Sequence, residues 1–190
     1  YDHIGYGGQY SLDRGINEIH NGADDNASGT AMLLNLVKKL SKRNNSNSNY
    51  LFIGFSAEEL GLLGSRYFVN SDLYEEGTYN MMINLDMVGR LNEKKELSVF
   101  GVGTSSIFRQ VLNSLNGSFN LNIINDGTGP SDHTSFYNKD LPVLFFHTGS
   151  HENYHRPSDD VELINYEGIH EISNYIVNVI AEIETYGKLD

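Results

Sequence analysis

The sequence predicts an α/β fold, a three-layer sandwich with a mainly parallel central sheet and helices on both faces. Two observations carry the prediction. Short apolar runs of strand length alternate with amphipathic stretches of helical periodicity along the chain. The 190 residues, 39% hydrophobic and 20% charged, suffice for one domain with a sizeable core. No internal repeat or domain boundary interrupts them, so residues 1–190 are read as a single domain.

Each element has its own warrant. Ala27 to Leu40 reads as a helix, with Ala31, Leu33, Leu34, Leu36, Val37 and Leu40 at helical spacing. Ser28 lies near its start among small polar residues that suit a cap. Tyr50 to Phe55 is a short apolar run, read as a buried strand, and Leu60 to Val69 is read as a helix. Met81 to Leu85 and Leu97 to Phe100 are strand candidates. Ile107 to Leu115 reads as helix, Leu121 to Ile124 as a short strand and Pro142 to Phe146 as another buried strand. Tyr166 to Tyr186 closes the chain as a long amphipathic helix with Ile169, Ile172, Tyr175, Ile176, Val179, Ile180 and Ile183 on its core side. Arg43 to Asn49 is a polar, Asn-rich loop; its Asn44-Asn45-Ser46 triplet is given no weight as a glycosylation site.

Composition narrows the function. Asp+Glu 25 against Lys+Arg 13 leaves a formal charge of -12, which argues against nucleic acid and against anionic lipid as partners. No apolar run approaches the roughly 20 residues of a membrane span. The absence of Cys excludes disulfides, thiolate ligands and a Cys nucleophile. The chain opens on Tyr1 with neither a Met nor a leader, so it is expected to be a processed or truncated piece of something longer.

In open α/β sheets, chemistry gathers at the carboxyl ends of the strands. Here those ends carry Asp24-Asp25-Asn26 before the first helix, Glu58-Glu59 after the run Tyr50–Phe55, Asp86 after Leu85, and His155 beyond Phe146. Singly, each has a plain reading: a helix cap, first-turn acids, a turn residue, an ordinary histidine. Together, at four successive strand ends, they form a crowd of like charges that a divalent cation would relieve. Mixed Asp, Glu and His donors suit zinc, with manganese or cobalt as substitutes.

The stretches Gly22-Ala23-Asp24-Asp25-Asn26-Ala27-Ser28-Gly29, Phe55-Ser56-Ala57-Glu58-Glu59-Leu60-Gly61, Asn84-Leu85-Asp86-Met87-Val88-Gly89, Ser131-Asp132-His133 and Tyr154-His155-Arg156-Pro157 occur in one order. In that order they resemble the M28 family of co-catalytic zinc aminopeptidases, whose fold is of the zinc-dependent exopeptidase type. The resemblance implies two zinc ions bridged by Asp25, one also held by Glu59 and His155, the other by Asp86. It implies Glu58 as the general base on the activated water and Tyr154 as a group that polarises the scissile carbonyl. Asp2 and Asp132 would support the ligands from behind, and the Asp25–Asn26 peptide would be cis. Peptide or protein substrates with a free amino terminus, and an extracellular or periplasmic setting, follow from the same resemblance.

One departure stands out. The family's first motif is His-x-Asp, and Asp2 is preceded only by Tyr1, so the first histidine ligand and the domain's opening strands are expected upstream of this chain. His3 is not taken as a substitute, because alternate side chains of a strand point to opposite faces.

The mechanism implied is hydrolysis of a peptide bond by a water shared between two ions about 3.5–4 Å apart, removing amino-terminal residues. A glutaminyl cyclase with one zinc shares the fold, but such cyclases tend to wall their pocket with Trp, and this chain has none. A non-catalytic binding domain of the same fold tends to lose ligands, whereas every ligand position within this chain is filled. Weaker features have local readings. Gly101-Val102-Gly103 lacks the third glycine of a dinucleotide loop, His133 is read as a structural hydrogen-bonding residue in preference to a ligand, and His147 and His151 either line the pocket or belong to a plain loop. No Gly-x-Ser-x-Gly supports serine hydrolysis.

Overall fold

The computed structural model describes residues 1–43 and 48–190; the Asn44-Asn45-Ser46 triplet lies outside the described residues. Four strands, β1 (Met82–Leu85), β2 (Glu96–Phe100), β3 (Asn120–Ile123) and β4 (Val143–His147), form one sheet in the order β1-β4-β2-β3. β1 pairs with β4 in parallel and β2 with β3 in parallel, while β2 meets β4 antiparallel with Val99 opposite Phe146. The helices are α1 (Gly29–Leu40), α2 (Leu63–Val69), α3 (Phe108–Leu115), α4 (His133–Tyr137) and α5 (Tyr166–Ile183).

The alternation of β4 shows how the layers form. Leu144 and Phe146 enter the larger core with Met32 and Leu36 of α1, Phe108 and Leu112 of α3, and Ile172 and Ile176 of α5. Val143 faces the other way, into a smaller core with Val69 of α2 and Phe136 of α4. Phe145 stacks on His133 of α4, with ring centroids 4.6 Å apart. β4 is therefore covered on both faces, which is why its sequence is continuously apolar. Asn165 caps α5 by accepting the Gly168 amide at 2.8 Å.

Several elements differ from expectation. The fully buried stripe of α1 is Met32, Leu36 and Leu40, whereas Ala31 and Leu34 face solvent. The helix carries apolar residues over so wide an arc that periodicity alone could not choose the inner face. Tyr50–Phe55 joins no strand ladder: Ile53, Gly54 and Phe55 lie across a cleft of about 60 Å³ from Met82 to Leu85, and the Tyr1 amine donates to the Phe55 carbonyl. α2 begins only at Leu63, because the Glu58 carbonyl closes a turn by accepting the amides of Gly61 and Leu62, and Leu62 is left-handed at φ 60°. The final helix ends at Ile183 and tightens into a 3-10 turn over Glu184–Tyr186. None of the described helices is long and apolar enough to cross a membrane.

Candidate metal centre

Because β1 and β4 are parallel, Leu85 and Phe146 end side by side. Asp86 follows the first, and the loop after the second returns Tyr154 and His155 to the same rim. Asp25 arrives from the wide turn Ala23–Ser28 in front of α1, where the Asp25–Asn26 peptide is cis, as the resemblance implies. Asn26 ties this turn to the end of β1: its Nδ2 donates to the Leu85 carbonyl at 2.9 Å, and its Oδ1 accepts the amides of Gly29 at 3.0 Å and Met87 at 3.3 Å. Gly29 permits the approach, since a Cβ there would overlap the Leu85 carbonyl oxygen and Asn26 Oδ1.

Asp25 is also held from beneath. Asp159 Oδ2 accepts the amides of Asp24 at 2.9 Å and Asp25 at 3.1 Å, and its Oδ1 accepts Arg90 Nη2 at 3.0 Å. Asp159 and Asp24 are both fully buried. Asp24 Oδ1 accepts the Gly89 amide at 2.6 Å, and Asp24 Oδ2 lies 3.1 Å from His151 Nε2. His151 therefore belongs to the scaffold beneath the site, and His147 Nδ1 lies 3.0 Å from the Asp86 carbonyl oxygen.

The polar groups converge above this scaffold. His155 Nε2 lies 3.1 Å from Glu59 Oε1 and 3.2 Å from Asp25 Oδ2. Its Nδ1 faces the Tyr10 carbonyl at 3.0 Å, the contact that in a metal site fixes the ring and turns Nε2 toward the cation. Asp86 Oδ2 accepts the Ser131 hydroxyl at 2.7 Å while its Oδ1 has no partner. Asp25 Oδ2 is buried too, and the groups facing it are the imidazoles of His155 at 3.2 Å and His3 at 3.7 Å. Ala57, Met87 and His155, at or beside these groups, hold left-handed backbone with φ of 56°, 52° and 53°. Such angles in non-glycine residues recur where surrounding structure imposes them at functional sites.

Electrostatics separates the two adjacent glutamates. Burial, then the charges of Asp86, Glu59, Asp132 and Asp25, push Glu58 up to about 9. Burial acts the same way on Glu59, but His155 and His3 beside it outweigh that and hold its carboxyl down to about 2. Burial would lower His155, yet Asp25 and Glu59 push it up to about 10. Asp86 rises to about 7 through burial and the Asp25 charge, against the Ser131 hydrogen bond. Tyr154 stacks on His155 with centroids 3.9 Å apart, and burial followed by the nearby carboxylates keeps its phenol protonated.

The structure thus brings Asp25, Glu59 and His155 into one contact group, with Asp86, Glu58 and Tyr154 around it. Asp2 accepts the backbone amides of Ala57 and Glu58, so it anchors the loop that carries both glutamates. Asp132 is buried with Oδ1 unpartnered, and its neighbour Ser131 is the residue that touches Asp86. Two readings need correction. His133 makes no hydrogen bond at either ring nitrogen and is held by stacking on Phe145. His3 does not point away: residues 1–4 are not in a strand, so the alternation argument fails, and His3 Nδ1 lies 3.4 Å from Glu59 Oε1 and 3.7 Å from Asp25 Oδ2.

Asp159, Arg90 and Ser131 were not singled out by their spacing. Each acts through long-range hydrogen bonds that no local pattern announces.

A crowd of carboxylates and imidazoles with bare, buried donor atoms fits a divalent cation of zinc's ligand preference. The family model for peptidase family M28 matches residues 1–180. The chain belongs to peptidase family M28. Among M28 relatives, Aminopeptidase YwaD of Bacillus subtilis (strain 168) is 32% identical over 174 residues, covering 85% of this chain and 37% of YwaD. BSAP, a zinc aminopeptidase from Bacillus subtilis, superposes with a TM-score of 0.71 at 31% identity, over 85% of this chain and 42% of BSAP. Legionella pneumophila LapA aminopeptidase gives a TM-score of 0.75 at 26% identity, over 95% of this chain and 50% of LapA. The M28 chain described here therefore spans half or less of the length of these relatives.

Proposed function

We propose that the protein to which this chain belongs is a zinc aminopeptidase. The observation that carries this is the contact of His155 Nε2 with Asp25 Oδ2 and Glu59 Oε1 at 3.2 and 3.1 Å, beside the unpartnered Oδ1 of Asp86. The zinc aminopeptidases similar to it support the same reading. Asp25, Glu59 and His155 would hold one zinc; Asp25 and Asp86 would serve a second. Bound zinc at such a site supplies a water of lowered pKa and a Lewis acid for the peptide carbonyl.

The chain's own residues do the rest. Glu59, ionised because of its histidine neighbours, is fitted to grip a cation, whereas Glu58 is raised by burial and by the carboxylates around it, and a cation among those carboxylates would lower it toward the range in which it can accept a proton. Glu58 takes the proton of the attacking water and passes it to the departing amine. Tyr154, kept protonated, donates a hydrogen bond to the carbonyl oxygen as negative charge develops there. Asp2, through the Ala57 and Glu58 amides, fixes where Glu58 stands. The acidic rim favours the α-ammonium of a substrate's first residue.

Activity of the intact protein tests the reading. Zinc-dependent release of nitroaniline from an aminoacyl-nitroanilide is expected. Cyclisation of a glutaminyl peptide without nitroanilide cleavage would assign the site to a cyclase, and neither activity in the zinc-loaded protein would assign it to a binding domain.

A further inference from the structure

We propose that Ser11 and His20 are positioning residues for His155, holding that ligand of the proposed zinc site in place from outside. The inference rests on the metal-site reading above and adds to it the element that grips one ligand.

The segment from Gly5 to His20 is an Ω-loop whose ends meet, since the His20 amide donates to the Gly5 carbonyl at 2.8 Å. Its only regular structure is a 3-10 turn over Gly8–Tyr10. One stretch of this loop grips His155. The Tyr10 carbonyl faces His155 Nδ1 at 3.0 Å, and the Leu12 amide donates to the His155 carbonyl at 3.0 Å. One residue further on, Asp13 pairs with Arg156. His155 needs such a grip, because its φ of 53° is one that a non-glycine residue adopts where its surroundings impose it.

The two groups that touch His155 belong to the peptide units on either side of the Ser11 Cα. Fixing Ser11 therefore fixes both. Ser11 and His20 are buried, and Ser11 Oγ lies 2.8 Å from His20 Nε2. The same oxygen accepts the Asp13 amide at 3.0 Å. His20 Nδ1 lies 3.0 Å from the Glu18 carbonyl, which can only accept. In the neutral ring Nδ1 thus carries the proton, and the Ser11 hydroxyl donates to Nε2.

Gly7 makes the space for this pair. Its φ is 81°, and a Cβ there would come 2.4 Å from His20 Cε1 and 2.7 Å from Ser11 Cβ. The bonds run from His20 through Ser11 to the Tyr10 carbonyl and the Leu12 amide, and from there to the ring and backbone of His155. His20 acts on the site through Ser11. Loss of the Ser11–His20 bond lets the Tyr10 carbonyl drift, and with it the direction in which His155 Nε2 points.

Zinc titration of the metal-stripped intact protein by calorimetry, with the visible spectrum of the cobalt-loaded form, tests this. Ser11→Ala and His20→Leu break the bond, whereas His20→Gln sets an amide where Nε2 stands and can keep it. His155→Ala marks the binding step that belongs to His155, and circular dichroism checks that each variant is folded. Ser11→Ala removes a single hydroxyl and keeps the test open if His20→Leu does not fold. Ser11→Ala and His20→Leu are expected to weaken the marked step by about 10-fold and to shift the cobalt bands. His20→Gln is expected to lie closer to wild type in both. Wild-type affinity and bands in Ser11→Ala and His20→Leu, with the step lost in His155→Ala, overturn the positioning role and leave the metal site standing. Weaker binding with unaltered cobalt bands also overturns it, since the geometry at the ion would then not depend on the loop. An unchanged set of binding steps in His155→Ala overturns the metal-site reading and the positioning role with it.

Discussion

Ser131 Oγ donates to Asp86 Oδ2 at 2.7 Å, and the other oxygen of Asp86 is bare. Asn84 Nδ2 in turn donates to Ser131 Oγ at 2.7 Å, which commits the hydroxyl proton to Asp86. One oxygen is thereby held and the other aimed. Ser131→Ala is expected to leave the fold intact and weaken the second metal position by about 10- to 100-fold, the usual effect of losing a residue that orients a ligand. Calorimetric zinc titration checks this; two unchanged binding steps would contradict it.

Asp159 does for Asp25 what Ser131 does for Asp86, but through the backbone. Asp159→Ala strands the Asp24 and Asp25 amides and leaves Arg90 without its carboxylate. Removing one partner of a buried pair costs about 3–5 kcal/mol, so urea unfolding should show a loss of that order. Asp159→Asn keeps an acceptor and should lose less. A variant as stable as wild type would mean that the Asp25 turn is held by other bonds.

His133 gives the protein an acid-sensitive core. Burial lowers its pKa from 6.5 to about 4. Between those values the unfolded chain binds more protons, so this contribution is complete above pH 6.5 and is lost as pH falls toward 4. The loss amounts to at most about 3 kcal/mol. Replacing the ring by one that cannot titrate, His133→Phe, should flatten the decline in stability over that window. Equal declines in wild type and variant would place the acid sensitivity elsewhere.

Much of this was legible in the sequence because it is local. The apolar runs that became β1, β2 and β4, and the stripe from Ile169 to Ile183 on α5, follow from periodicity alone. Asp25, Glu58, Glu59, Asp86 and His155 were marked out by their places at the ends of such runs. What escaped is long-range. Asp159 meets residues more than a hundred positions away, and His3 is placed by Gly22 and by the Asp2 anchor. Tyr50–Phe55 has strand composition, yet composition cannot supply a hydrogen-bonding neighbour, and the segment joins no ladder beside β1.

Stability should depend on the metal. Without a cation, Asp25, Glu58, Glu59 and Asp86 repel one another, as the raised values of Glu58 and Asp86 record. Chelation is expected to lower the melting temperature, and zinc at 100 times its dissociation constant should restore about 2.7 kcal/mol. A melting temperature indifferent to chelator and zinc would argue that the cluster binds no ion.

The division of labour between the adjacent glutamates is the centre of the account. The most direct measurement is metal content and turnover of Glu58→Gln, made together in the intact protein. The account predicts wild-type zinc content with turnover reduced by a factor of order 10² to 10⁴, as for lost acid–base catalysis. Zinc lost from Glu58→Gln while the metal-reconstituted variant turns over at a near-normal rate would contradict it, and would make Glu58 the ligand and Glu59 the base.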